Sequence, residues 1–567
     1  MKALNFIRNK AGELICVSSL ILYLILRLPL NLSVVCANDN QGFAFIFGNG
    51  LLKWGELECG RGPIFVLLYA LIIKLFGFGT LSIIAVHAVE SVIFISLGLL
   101  LYFVINKVLN NSLYAGFSVF LWILMISTPL GYSDTIVEIR SHWNLQEECV
   151  GVLFALMSLA CLLTGGLFDL DKNCRKLNLI LGGIFTVMSF MSKANNGVYL
   201  LATLLWILLV LVFSKREQRN YLFKKTLFYF LGLIIASIFF ICFVYVFYHD
   251  FANYWRDYVL VGSYFAPKLS SVSDWVNGIL GVITRNSDYL SNPILFCVVF
   301  ISVLLGLVQF FMFHNLSKVV LFWLFATIWM TGAVCAIIMP GYYQPYYYHL
   351  IWTVAPLLLC LGLYWIDKSF SNKLIVRLLF ISLILFFLHR FYLVSNSYVK
   401  LYEELSPQNI FKQVQSFQDP VIPYDFANVK RDGLLKAADL LNIFIKDKTK
   451  TLFIFNFNSP GQTAFSPLTY IYAKRYPPST VEPALLRVPT IVSAKIKKLK
   501  KDLINRMPDY IVVSNEMYLE RWQKDELSEF IDWFNNLVNN DYKRIQTLRF
   551  THDVGNKQEI FFLYQRV

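Results

Sequence analysis

The sequence predicts a polytopic α-helical membrane protein that carries a small α/β domain at its C-terminal end. Three observations lead there. Of 567 residues, 57% are hydrophobic and only 15% charged, with 50 Phe and 31 Tyr, a balance foreign to soluble multi-domain proteins. Apolar runs approaching the roughly 20 residues that a bilayer demands recur along the chain as far as Phe391. After Arg390 the pattern changes, and from about Val394 short alternating segments and amphipathic helices replace the long apolar runs.

The expected spans, about 11, are Leu14–Val35, Leu81–Ile105, Leu113–Pro129, Val150–Leu167, Leu177–Met191, Val198–Phe213, Leu222–Phe247, Ile294–Phe313, Val319–Met339, Tyr348–Ile366 and Leu374–Phe391. Lys2, Arg8 and Lys10 before Leu14–Leu30 look like the start of a signal peptide, but no small-residue cleavage site follows cleanly, so a retained first helix is expected. The run Pro63–Phe76 is short and carries Lys74. It reads as a helix at the interface or re-entering, not as a span.

Lys and Arg set the orientation. With the N-terminus inside, the inside loops hold Lys107, Lys172, Arg175, Lys176, Lys215, Arg216, Arg219, Lys224, Lys225, Lys318, Lys368 and Lys373, and the outside loops hold fewer for their length. Counting Pro63–Phe76 as a span would turn the most basic loops outward. The chain thus divides into a transmembrane domain, 1–393, with interfacial helices in a first outer loop (37–78), and an extracytoplasmic α/β domain, 394–567, of ordinary domain size. Within the latter, Thr451–Phe457, Tyr510–Ser514, Ile545–Phe550 and Ile560–Tyr564 read as strands, and Ser466–Lys474 and Arg521–Asn536 as helices.

The net charge of +14 belongs to the inside loops. No basic-aromatic interleaving suggests nucleic acid as a partner; membrane lipids are the expected surroundings. Ten cysteines, with no CxxC pair and none after Cys360, argue neither for a zinc site nor for a disulfide scaffold.

Three outside-facing clusters could carry chemistry. The first is Asp39, which follows the first span and precedes an amphipathic helical stretch, with Glu56, Glu58 and Arg61. The second is Glu147 and Glu148 at the head of the fourth span, with Lys193 in the neighbouring outside turn. The third runs from Pro340 through Tyr346, Tyr347, Tyr348 and His349 to Pro356. Charge at a membrane boundary is costly and is usually kept for chemistry or a pathway. Each cluster also has a plain alternative. Asp39 taken alone reads as a helix cap, Glu147 and Glu148 as complements to a helix dipole, and Lys193 as a snorkelling side chain. The tyrosines read as an interfacial belt, and His349 as a satisfied interfacial histidine. The run Lys495-Ile496-Lys497-Lys498-Leu499-Lys500-Lys501 reads as a solvated helix face, with contact to anionic headgroups as the sharper alternative.

Taken together, the Asp39 motif, the turn Gly60-Arg61-Gly62-Pro63, the apolar helix ending Leu75-Phe76-Gly77, the pattern Gly182-Gly183…Met191-Ser192-Lys193, the segment Tyr346–Pro356 and the stretch Pro508-Asp509-Tyr510-Ile511-Val512-Val513 resemble the GT-C membrane glycosyltransferases. The resemblance is to the bacterial branch related to protein O-mannosyltransferases and lipid A aminoarabinose transferase. Two departures stand out: Asp39-Asn40 replaces an Asp-Glu pair, and Arg61-Gly62-Pro63 replaces Lys-Pro-Pro.

The resemblance implies a transferase on the outer face of the cytoplasmic (inner) membrane. It would move a sugar from a polyprenyl-phosphate donor to an acceptor hydroxyl on a lipid, glycan or protein. Asp39 then suits the base, and Arg61 and Lys193 the donor phosphate, with Tyr346, Tyr348 and His349 beside them. Glu56, Glu58, Glu147 and Glu148 remain as acceptor or metal candidates, and a divalent metal stays open. No Gly-rich nucleotide-binding loop is present, so no nucleotide cofactor is expected. The rivals are an O-antigen polymerase or ligase, which would be expected to rely on arginines in a large outer loop, and a lipid-linked glycan transporter or flippase. Paired half-repeats and matching broken helices, which a transporter would show, are missing from the sequence.

Overall fold

The computed structural model describes residues 2–31, 39–57, 61–127, 147–171, 174–248, 271–285, 306–312, 316–338, 348–369, 373–404, 429–456, 467–481, 492–514, 525–551 and 558–567, with isolated positions among 251–258 and at 303, 304, 465 and 483. The helical part comprises α1 (Lys2–Asn31), α2 (Asp39–Trp54), α3 (Pro63–Phe76), α4 (Thr80–Leu109), α5 (Ser112–Ser127), α6 (Glu147–Gly165), α7 (Lys176–Ser192), α8 (Gly197–Phe213), α9 (Arg216–Tyr248), α10 (Val272–Arg285), α11 (Lys318–Ile338), α12 (His349–Ser369) and α13 (Lys373–Glu404).

Among the described residues, seven helical stretches are long and apolar enough to cross a membrane: Lys10–Leu28, Leu81–Leu109, Glu147–Gly165, Ala194–Phe213, Arg216–Tyr248, Lys318–Ile338 and His349–Lys368. Each answers to an expected span. Three further expected spans coincide with shorter apolar helices, Ser112–Ser127, Lys176–Ser192 and Ile381–Leu393. The expected span Ile294–Phe313 lies mostly outside the described residues. Pro63–Phe76 is a helix of 14 residues, shorter than a bilayer crossing requires.

Packing in the bundle relies on close backbone approach. Helix α7 crosses α9 where Gly183 meets the backbone of Tyr229, Gly232 and Leu233, and a Cβ on Gly183 would sit 2.2 Å from the Tyr229 carbonyl oxygen. Small residues at such crossings let helices gain dispersion contact where lipid supplies no hydrophobic drive. Helices α8 and α11 are joined by the buried Trp206 indole, which donates to the Leu321 carbonyl at 2.8 Å. Helix α9 turns Ile234, Ile238 and Phe239 outward while Tyr229, Ala236 and Phe240 face the bundle, as a lipid-facing helix should.

One local expectation is corrected. The stretch after Asp39 is not a short amphipathic piece with a wet face. Helix α2 is 16 residues long and buried without interruption from Gln41 to Leu51. Its surface is covered on one side by α3 and on another by a helix of the C-terminal domain, Pro467–Tyr472.

That domain contains α14 (Val429–Phe444), β1 (Leu452–Phe455), α15 (Pro467–Tyr472), α16 (Val492–Asn505), β2 (Tyr510–Ser514), α17 (Asp525–Asp541), β3 (Tyr542–Thr551) and β4 (Gln558–Arg566). The sheet order is β1-β2-β4-β3, with β1 and β2 parallel and the other pairs antiparallel. All four strand stretches expected from the alternation are present. Strand β1 is buried on both faces, because alternate side chains enter opposite cores: Phe453 and Phe455 pack with Phe530 and Phe534 of α17, Leu452 and Ile454 on the other side. Asp509 pins the start of the parallel pair, accepting from the Thr451 backbone N–H and hydroxyl, each at 2.9 Å, and from Lys450 at 3.2 Å. Burial pushes this carboxyl up, but those donors outweigh it and hold it below the usual range.

The Lys495–Lys501 run is a helix, as expected, but not simply a solvated face. Lys495 is buried, Lys500 lies over the Phe530 and Trp533 rings, and Lys498 donates to Glu56 of the loop between α2 and α3 at 2.9 Å. Arg506 also donates to Glu56 and stacks on Trp54, with its guanidinium carbon 4.1 Å from the ring centroid. Lys53 sits 3.2 Å above the Tyr476 ring. These contacts fasten the α/β domain to the first loop. Burial raises the Glu56 pKa; Arg506 and Lys498 outweigh it and hold the carboxyl below the usual range.

Because the folded pKa is depressed, the stabilisation from Glu56 is complete above its unfolded value of about 4.3 and is lost as pH falls through the folded one. Glu56→Gln should cost about 1–3 kcal/mol at neutral pH. The gap in thermal midpoint between wild type and variant should stay constant from pH 8 to about pH 6 and close at still lower pH, starting near pH 4.3. A gap that widens on acidification would contradict the assignment.

Candidate active site

The site grows from a backbone contact. Gly62 ends the turn before α3, and a Cβ there would lie 1.9 Å from the Ser192 carbonyl oxygen at the end of α7. Only glycine permits that approach, and it brings the residues flanking each partner, Arg61 and Lys193, to one place. Pro63 at the first position of α3 suits a helix start, since its missing N–H would have no intrahelical partner there. The last turn of α7 is fixed against α6, with the Ser189 hydroxyl donating to the Gly151 carbonyl at 2.6 Å. Tyr254 donates to the Arg61 carbonyl at 2.7 Å, and Tyr258 donates to that of Phe190.

Into this junction α6 delivers Glu147 and Glu148. Arg61 donates to one oxygen of Glu147 at 2.9 Å, Lys193 lies 2.8 Å from the other, and Lys193 is 3.6 Å from Glu148. The carboxylate side chains are 3% and 1% exposed, whereas Arg61 and Lys193 are 22% and 19% exposed. Acids form the floor and cations the accessible rim, so the open side of the cluster is positive. Arg61 also reaches the Phe43 and Phe47 rings of α2, each 6.0 Å from its guanidinium carbon, a range in which a cation is attracted to the ring face.

Three sequence candidates, Arg61, Lys193 and Glu147, thus meet directly, and Glu148 adjoins them. Asp39 opens α2, whose Phe43 and Phe47 flank Arg61; its side chain lies outside the described residues, as do Glu58 and Tyr346. Glu56 stands apart, in the bridge to Lys498 and Arg506. Tyr348 and His349 are buried at the head of α12, with His349 edge-on to Phe94 at 5.7 Å and to Trp352 at 5.3 Å. Among the described residues no group of three or more His, Cys, Asp or Glu side chains is placed to hold a metal.

A second charged group escaped the sequence reading. Arg27 of α1 is paired with Glu90 of α4, both fully buried. His87 Nδ1 is 2.8 Å from the same Glu90 oxygen, and the Gln41 amide donates to the other oxygen at 2.7 Å. The signal was available: opposite charges stand inside two expected spans, and intramembrane charges pair.

No protein-family model and no curated protein matches the sequence. Solved structures do match in shape. ArnT from Cupriavidus metallidurans bound to undecaprenyl phosphate superposes with a TM-score of 0.54 at 12% identity, over 97% of this chain and 97% of that one. Its apo state gives 0.52 at 12% identity, over 96% and 97%. The oligosaccharyltransferase AglB from the archaeon Archaeoglobus fulgidus, in complex with an inhibitory peptide and a dolichol-phosphate, gives 0.51 at 12% identity, over 98% and 74%. The chain has the GT-C fold. The fold runs through both the bundle and the C-terminal sheet, because the ArnT match covers nearly the whole of each chain.

Within this GT-C bundle the two acids should behave differently. Glu147 is held by two cations and Glu148 only at 3.6 Å by one. Removing one partner of a buried ion pair costs about 3–5 kcal/mol, so Glu147→Gln should lower the thermal midpoint in detergent strongly. Glu148→Gln should change it little or raise it, by relieving a like-charge neighbour. The reverse order would show that Glu148 is the anchor.

Proposed function

We propose that this protein is a membrane glycosyltransferase that moves a sugar from a polyprenyl-phosphate donor to an acceptor hydroxyl on the outer face of the cytoplasmic membrane. The observation that carries the reading is the rim formed by Arg61 and Lys193 over a floor of buried acids, in a GT-C fold shared with structures that hold undecaprenyl phosphate and dolichol-phosphate. In the proposed reaction the acceptor oxygen attacks the anomeric carbon while its proton passes to Asp39. The bond from that carbon to the phosphate oxygen breaks through an oxocarbenium-like state, and the lipid phosphate leaves with the electron pair. Arg61 and Lys193 stabilise the charge that develops on it. Glu147 orients both cations and is not itself asked to titrate. Tyr348 and His349, buried at the head of α12 with His349 against Phe94, line the wall beside this end of the bundle in this reading, and the acceptor remains a class: lipid, glycan or protein.

Asp39→Asn keeps shape and capping ability but cannot accept a proton, so transfer from undecaprenyl-phosphate hexoses or pentoses should fall by about 10²–10⁴ with folding retained. Transfer within a factor of about three of wild type would leave Asp39 as a cap only. Arg61→Ala and Lys193→Ala should each cost roughly tenfold or more, and Arg61→Lys should not fully restore activity, since a planar fork and a point charge meet phosphate differently. Unchanged kinetics in both alanine variants would remove them from the site.

Orientation is tested separately. Reporter tags at Lys107, Arg219 and Lys368 should read cytoplasm, and tags at Arg140, Asp274 and the C-terminus should read outside. A cytoplasmic C-terminus would overturn the outer-face assignment.

A further inference from the structure

The sealed charge cluster in the bundle is joined to the segment that carries Asp39. Helix α1 ends at Asn31 and α2 begins at Asp39. One carboxylate, Glu90, touches both flanks of that connection. Its one oxygen is paired with Arg27, four residues before the end of α1, and its other accepts from Gln41, in the first turn of α2 and two residues beyond Asp39. His87, one turn earlier on α4, lies against the Arg27-bound oxygen at 2.8 Å. Arg27 also donates to Tyr23 at 3.2 Å and lies 5.7 Å from the Phe94 ring, whose other neighbours include His349. Arg27, Gln41 and Glu90 are 0% exposed and His87 1%.

We propose that Glu90 is a positioning residue for the transfer reaction: through Gln41 it fixes the first turn of α2, and through Arg27 the end of α1, so that Asp39 is presented in one place. The proposal rests on the reading of Asp39 as the base. Glu90 is too enclosed to meet substrate. Its charge is compensated within the protein, and both of its oxygens are engaged. What it controls is geometry. A buried carboxylate accepting from an amide gives a charge-assisted bond, stronger than a neutral one, and the low dielectric around it strengthens the bond further. Displacing a catalytic group by about 1 Å can cost on the order of a hundredfold in rate, so a tether two residues from the base is well placed to matter.

The direct variant, Glu90→Gln, leaves Arg27 buried without its counter-charge and is expected to fold poorly. Gln41→Met is therefore the decisive one. It keeps length and apolar fit, leaves the Arg27–Glu90 pair intact, and removes the bond by which Gln41 of α2 is held to Glu90. In the full-length protein in detergent, backbone amide exchange over the first two turns of α2 should speed up by about tenfold and more than in the other helices of the bundle, with the global thermal midpoint lowered because one buried Glu90 oxygen loses its donor. For release of undecaprenyl phosphate from undecaprenyl-phosphate hexoses or pentoses, kcat should fall about tenfold or more while KM for the lipid donor changes little. A residue serving only as core would lower the midpoint in the same way but leave kcat and KM of the folded protein unaltered. Unchanged exchange in Gln41→Met overturns the tether. The Asp39→Asn variant, assayed alongside, separates the two failures. Activity retained there removes the base and with it the purpose of the tether, whereas activity lost there but kept in Gln41→Met removes the tether alone.

Discussion

A carboxylate taken out of water must bring its counter-charge with it, because the desolvation cost of an unpaired ion exceeds any packing gain nearby. Three glutamates in this protein obey that constraint, and between them they decide how the chain closes. Glu90 has Arg27, Glu147 has Arg61 and Lys193, and Glu56 has Lys498 and Arg506. None of the five cations comes from the same helix as its glutamate. Each pairing therefore works as a long-range bond: the first joins α1 to α4, the second joins the heads of α3 and α6 to the end of α7, and the third joins the first loop to the α/β domain.

The bundle needs such bonds for specificity more than for strength. Apolar helices in lipid slide past one another at little cost, since lipid tails are as apolar as the side chains they replace. Close glycine crossings such as Gly183 of α7 against α9 fix distance, and buried charges fix register. Helix α2 shows the result. It carries no charge between Asp39 and Lys53 and could not choose its own depth, yet it is buried from Gln41 to Leu51 because Glu90 holds one end while Lys53, Trp54 and the α/β domain hold the other.

Sequence reading recovered what is local. Apolar runs mark spans because a bilayer imposes length, and alternation marked all four strands because a sheet imposes a period of two. It also found Arg61, Glu147 and Lys193, since charge at the end of an apolar run is conspicuous. What it could not supply is who meets whom. Arg61 and Glu147 are 86 positions apart, Arg27 and Glu90 63, and Glu56 and Arg506 450. No periodicity spans such separations. The burial of helix α2 is not legible in the sequence for the same reason: its covering helix, Pro467–Tyr472, lies more than 400 positions away. The lysine run of α16 looks solvated in the sequence because its partners, Glu56, Phe530 and Trp533, belong to other elements.

Exposure separates the roles of the two clusters in the bundle. The Arg27–Glu90 pair is sealed on both sides, so admitting a ligand would mean breaking an ion pair in low dielectric with nothing to replace it. A sealed pair can hold geometry but cannot exchange partners. The Arg61–Glu147–Lys193 group keeps its acid sealed and its cations about one-fifth exposed. A guanidinium has five donors and an ammonium three, so each cation can bind the buried acid with some of its N–H groups and turn others toward an incoming anion. The acid need not be released for the anion to bind. It limits how far the cations can move, which is the pre-organisation that the leaving phosphate of the proposed reaction would demand. The same chemistry, carboxylate with cation, thus serves as a fixed joint at one place and as a receptive rim at the other, and the difference is only how much of the cation meets solvent.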